Sequence, residues 1–154
     1  MGVSILSAKT VVDRLKDYLA ETIPVVAPSL PTIRRFYKHP TRSVNDFPSM
    51  EIVAIEDWTE PEHSTPGVLN FSIQIRVFSG TGSNVEDSTE AESYDFAKAI
   101  RDAIWKDPRL GDTSGQIVDS VPVQAIYADA AEEKRSYTSV LIMIVNIKTQ
   151  TFTG

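Results

Sequence analysis

At 154 residues, with 42% hydrophobic and 23% charged side chains, the chain has the length and balance of one folded domain rather than of a disordered segment. It contains no cysteine, which excludes disulfide frameworks, thiol catalysis and cysteine-held zinc. Its net charge of −6 argues against a general nucleic-acid binder, which needs surplus Lys and Arg to displace counterions.

No apolar run approaches the ~20 residues that span a bilayer, and Met1 to Lys16 lacks a basic start followed by an unbroken apolar stretch. A soluble protein without a classical signal or membrane contact is expected. The charge is uneven. Residues 1–50 hold seven Lys/Arg against four Asp/Glu, and residues 51–154 hold eight against seventeen. A molecule basic in one region and acidic in another can bind copies of itself head to tail.

The first predicted element is a helix capped by Ser7 and running to about Thr22. Val11, Val12, Leu15, Tyr18, Leu19 and Ile23 recur at helical spacing. Pro24 is expected to stop it, and Pro28 and Pro31 to keep the next link extended. Ile33–Lys38 and Met50–Glu56 read as strands, separated by a polar loop from His39 to Ser49. Asp57 to Gly67 reads as another loop. The clearest strand follows: Leu69, Phe71, Ile73, Ile75 and Val77 alternate with Asn70, Ser72, Gln74 and Arg76, so one face is buried and the other wet.

Ser79 to Val85 reads as a glycine-bearing turn, and a long helix is predicted from about Asp87 or Ser88 to Trp105, ended by Pro108. Ile117–Tyr127 is a strand candidate that Pro122 places at a sheet edge. Ala128–Ser136 is a charged turn, and Thr149–Gly154 a free tail. Between them, Tyr137–Lys148 is a strand with both faces apolar: Leu141, Met143, Val145 and Ile147 on one, Val140, Ile142 and Ile144 on the other. Such a strand needs a cover on each side. The long helix supplies one; the first helix or a neighbouring subunit supplies the other. The expected fold class is α+β, with a mixed, mostly antiparallel sheet of about five strands and two main helices packed on it, in a single domain spanning 1–154.

Catalytic chemistry finds little support. His39 and His63 sit in polar loops without ligand spacing. Gly80-Thr81-Gly82 follows a strand, but Val85 stands where a dinucleotide turn needs its third glycine, and Glu86 and Asp87 oppose a phosphate at the helix start. The carboxylate clusters Glu56, Asp57, Glu60, Glu62 and Glu86, Asp87, Glu90, Glu92 lie among polar residues, where nothing desolvates one of them for acid–base work. No catalytic, cofactor or metal site is assigned, and a non-enzymatic protein is expected. The one basic cluster is Arg34, Arg35, Lys38, His39 and Arg42, interleaved with Phe36 and Tyr37. It suits an acidic protein surface better than nucleic acid.

The stretch Ala97-Lys98-Ala99-Ile100-Arg101-Asp102-Ala103-Ile104-Trp105-Lys106-Asp107-Pro108-Arg109-Leu110-Gly111 resembles the bacteriophage tail-terminator and tail-completion (neck) families. In those families a long helix ends in an Asp-Pro-x-Leu-Gly turn, and a strand, a charged turn and a final apolar strand follow. The resemblance implies a virion protein of the tail neck, assembled in the host bacterial cytoplasm. It implies a ring, usually six-fold, that caps the head-proximal end of the tail tube and mediates head–tail joining. Implied partners are its own copies, the tail tube protein, a head-closure or connector protein, and the sheath protein if the tail contracts. Genomic DNA would only pass through the lumen. The assembly interface is expected at Arg34, Arg35, Lys38 and Arg42, with acidic counterparts at Asp57, Glu60 and Glu62 and at Asp129, Glu132 and Glu133. Other readings are a head-closure or tail-tube protein, or a small ligand-binding α+β domain.

Overall fold

Two helices lie against a five-stranded mixed sheet, and the way each begins and ends follows from local chemistry. The computed structural model describes residues 3–4, 6–39, 47–60, 68–80, 86–129, 138–150 and 152–153. In chain order the elements are β1 (Val3–Ser4), α1 (Ala8–Val26), β2 (Arg35–Tyr37), β3 (Ser49–Glu60), β4 (Val68–Gly80), α2 (Glu86–Lys106), β5 (Ile117–Asp129), β6 (Thr138–Gln150) and β7 (Phe152–Thr153). The expected α+β class and five-stranded sheet are what the structure contains.

Ser7 caps α1 as expected, its Oγ accepting the Thr10 amide at 3.2 Å. The helix continues past Pro24 to Val26. Pro24 forfeits only its own N–H; later residues keep theirs, and the Ala27 amide donates to the Ile23 carbonyl at 2.9 Å. One face of α1, carrying Val11, Leu15, Leu19 and Ile23, is buried.

The sheet order is β2-β3-β4-β6-β5. β2 runs parallel to β3, and the remaining pairs are antiparallel. β6 is slotted between β4 and β5, so α2 crosses over one strand position. β5 is an edge, in keeping with Pro122, and it carries register shifts at 117–119 and 122–124. Met50, Ile52, Ile73, Ile75, Val77, Met143, Val145 and Ile147 share one sheet face and form one core with Phe96, Ile100 and Ile104 of α2 and the buried face of α1. Both helices therefore cover the same side.

Three expectations change. Asp57–Glu60 is strand, because these residues pair with Val68–Phe71 in a long hairpin beyond a bulge at Ile55. Residues 61–67 of the expected loop lie outside the described residues, as do 130–136 of the charged turn and 81–85 of the glycine turn. The tail is not free: Phe152 and Thr153 pair antiparallel with Ser4 and Val3, a long-range contact that no local pattern signals. The strands β3 to β6 also run longer than their apolar cores, since ladder pairing extends over polar ends.

The turn after α2 is held by two aspartates. Asp107 accepts the amides of Arg109 (3.1 Å) and Gly111 (3.0 Å), while Leu110 and Gly111 take positive φ of 55° and 73° and Leu110 drops into the core. Asp112 is buried and accepts from the Ile117 amide (2.8 Å) and the Ser114 hydroxyl (2.7 Å), with an Arg14 guanidinium nitrogen at 3.6 Å. This ties the start of β5 to α1. Nearby, the Tyr18 hydroxyl donates to the Ala103 carbonyl at 2.6 Å, joining the two helices.

Burial alone would raise the Asp112 pKa, but the Ile117 and Ser114 hydrogen bonds and Arg14 outweigh it and hold the carboxyl below its ordinary value. A carboxylate lowered in the folded state stabilises above its unfolded pKa, and that stabilisation disappears as pH falls through the folded value. Asp112→Asn is expected to lose about 1–3 kcal/mol at neutral pH. Its unfolding free energy should also fall less steeply than wild type on acidification below the ordinary carboxylate range, as measured by urea denaturation at a series of pH values.

Candidate assembly surface

Cross-strand pairing defines what lies on the sheet face away from the helices. Glu51, Arg76, Ile142 and Ile126 form one row across β3, β4, β6 and β5; Val53, Gln74, Ile144 and Gln124 form the next. Trp58, Asn70, Lys148 and Asp119 form a third row towards the hairpin end. Among the described residues no helix lies over this face.

The second cover that the apolar β6 demands is therefore not α1, which packs on β3 and α2 on the other side. Val140, Ile142 and Ile144 belong to the open face, and there Val121, Ile126 and Trp58 are 45%, 43% and 39% exposed. Ile55 and Val123, each at a register shift, are 52% and 61% exposed. Burying such half-exposed side chains yields roughly 1 kcal/mol each. The face also has polar structure. Glu51, 2% exposed, lies 3.7 Å from Arg76, whose guanidinium stacks over Phe78 at 4.9 Å from the ring centroid. Asn146 donates a 3.5 Å bond to Asn70.

The basic residues sit at one sheet edge. Arg34 and Arg35 are exposed on and just before β2. Lys38, at the end of β2, gives its ammonium to Asp13 of α1 at 2.8 Å. Their shared hydrogen bond raises the Lys38 pKa and lowers that of Asp13. Lys16 lies 5.4 Å over the Phe36 ring, a second tie between α1 and β2. Arg42 lies outside the described residues.

The acidic residues are placed elsewhere. Asp57 is exposed on β3 opposite Phe71, and Glu60 ends that strand opposite Val68. β2 pairs only with Ser49–Glu51, so Asp57 lies about 20 Å further along β3, at ~3.3 Å per residue. Asp129 ends β5, at the opposite edge of the sheet from β2. Glu62, Glu132 and Glu133 lie outside the described residues. Among the described residues, the basic and acidic residues expected at the interface are thus not brought together within one chain. The open-face residues Val121, Ile126 and Trp58 were not singled out from the sequence. Their signal was present in the two-sided β6 ladder, but which strands flank it required the topology.

His39 is exposed beside Tyr37, with ring centroids 6.5 Å apart, and His63 lies outside the described residues. Among the described residues no three His, Asp or Glu side chains gather as a metal site, and no helix is long and apolar enough to cross a membrane.

No protein-family profile matches the chain, and no curated protein matches it. Thirty chains of solved structures match in fold. One belongs to the virion of a native gene transfer agent (GTA) particle, at 10% sequence identity and a TM-score of 0.48, over 94% of this chain and 99% of that one. At that identity and score the likeness carries no argument about what this chain does.

The two faces of one ladder predict opposite sensitivities. Met143→Asp, on the helix side, should cost more than about 4 kcal/mol or abolish folding. Ile126→Asp, on the open side, should cost about 1 kcal/mol and leave the circular dichroism spectrum native.

Proposed function

We infer that this chain is a structural subunit, not an enzyme, that closes into a ring at the head-proximal end of a phage tail tube and joins head to tail. The observation that carries the reading is the sheet face left open by both helices, on which Trp58, Val121 and Ile126 stay substantially exposed. A monomer gains nothing from such a face, and apolar surface of this kind marks association. The separated charges supply direction. A basic edge at Arg34 and Arg35 and acidic strand ends at Asp57 and Asp129 are complementary between copies.

A heterologous contact that closes on itself makes a ring, whereas an isologous one stops at a dimer. In this role the protein acts by geometry: one rim sits on the last ring of tube subunits, and the other offers a different surface to a head-closure or connector protein. Where the tail contracts, the outer wall would meet the sheath. The net negative charge suits a lumen through which DNA slides without sticking. A basic lumen in an assembled ring would remove that last point.

Light scattering and negative-stain imaging test the reading, with the protein alone and mixed with purified tail tubes. The expected result is rings in solution or at one tube end only, with Ile126→Asp folded but unable to form either. A folded wild-type chain that stays monomeric and leaves tube ends bare would sink the assignment.

A further inference from the structure

Beyond the bulge at Ile55, β3 forms one half of a hairpin arm on which Glu56, Asp57 and Trp58 are exposed. The bulge bends the strand and re-aims this end away from the part of β3 that β2 covers. At the other end of β3, Arg34 is exposed; its amide is fixed to the Pro48 carbonyl at 2.8 Å, so its side chain leaves a defined point on the edge. Half-buried Phe36 and Tyr37 lie beside it. By strand alternation Glu56 and Trp58 share the open face while Asp57, opposite Phe71, points to the other, so one surface combines a carboxylate with an indole and the other a guanidinium with aromatic rings. Arginine pairs with carboxylates and stacks on indole faces, so the two are matched in chemistry.

Within one molecule they cannot meet, since a stretch of paired β3 separates them. We propose that the acidic arm of one copy docks on the Arg34 edge of the next, head to tail, with Glu56 facing Arg34 and Trp58 lying against the guanidinium. The contact rests on the ring reading and adds which surfaces meet. The arm is a better match than the acidic end of β5, because the exposed Trp58 stands on the same face as the Glu56 carboxylate. It is also continuous with the open face, since Trp58 shares that face with Asn70 and Lys148. Docking the arm therefore brings a neighbour over part of the uncovered apolar surface.

The absence of cysteine makes cross-linking a clean test. A chain carrying both Arg34→Cys and Glu56→Cys, treated with a bis-maleimide linker, should give a ladder of dimers, trimers and higher species on a denaturing gel. Each single variant should stay at the monomer band. Dimers from a single variant would mean like surfaces meet, and would overturn the proposal. So would a double variant that forms rings by imaging yet gives no ladder; the ring reading would then survive without this contact. Charge reversal gives an independent readout. Arg34→Glu or Glu56→Arg should weaken self-association about tenfold in low salt, and combining them should restore most of it. If the combined variant associates no better than either alone, the pairing is wrong. Absence of any assembly, in solution or on tail tubes, would instead remove the ring reading and this contact with it.

Discussion

A sheet has two faces, and here both helices are spent on one of them. Everything else about the molecule's surface follows from that choice. α2 crosses β4, β6 and β5 while α1 fills the space over β3, and Tyr18 and Arg14 lock the pair in place through Ala103 and Asp112. The opposite face, lined along its centre by Ile142 and Ile144, has Arg76, Gln74 and Gln124 beside them and Ser72, Asn146, Asn70 and Lys148 further along. A lone antiparallel sheet facing water alternates cleanly between apolar and polar faces. β4 obeys that rule and β6 breaks it, so the demand for a partner is concentrated on the β6–β5 half of the sheet.

The edges constrain where that partner can come from. Edge strands invite continuation by other chains, and natural proteins blunt them. β5 carries Pro122 and two register shifts, and β3 beyond its short pairing with β2 carries a bulge followed by Glu56 and Asp57. Simple edge-to-edge extension is disfavoured on both sides. Face contacts and side-chain contacts at the arm remain, and these are directional because the charges at the two ends of β3 differ in sign. β2 itself is anchored rather than loose, through Lys38 to Asp13 and Lys16 over Phe36, so the basic edge is presented by a rigid element.

The fold class was readable because the strongest periodicities coincide with the elements. The α1 stripe from Val11 to Ile23, the alternation from Leu69 to Val77 and the doubly apolar run from Val140 to Ile147 each name a structure by spacing alone. The misses have a common physical cause. Asp57–Glu60 looks like a loop because its residues are polar, and it is strand because the hairpin ladder supplies backbone hydrogen bonds regardless of side-chain polarity. The pairing of Val3–Ser4 with Phe152–Thr153 joins the two ends of the chain and leaves no local trace. Pro24 suggested a stop, yet a proline near a helix end removes one donor without unwinding the turn. For the surface, the sequence indicated that β6 needed a second cover. It could not say that α1 was already committed elsewhere, because that depends on which face the crossover places it.

The strength of each surface element decides how they divide the work of assembly. An exposed ion pair contributes about 0–1 kcal/mol, too little to hold two subunits against the loss of rotational and translational freedom. The open face can contribute roughly 1 kcal/mol for each half-exposed aliphatic it buries, and it offers several, but apolar contact alone does not choose an orientation. In the proposed assembly, burial on the β5–β6 side would thus provide affinity. In the same proposal, the Arg34 edge and the Glu56 arm would provide register, and their separation along β3 would make it head to tail. Charge without the apolar face would leave a weak, salt-sensitive encounter. The apolar face without the charges would favour disordered aggregation over a closed ring. The open face and the charges at the two ends of β3 belong to one sheet whose helices cover its other side, and their combination is what the assembly reading explains.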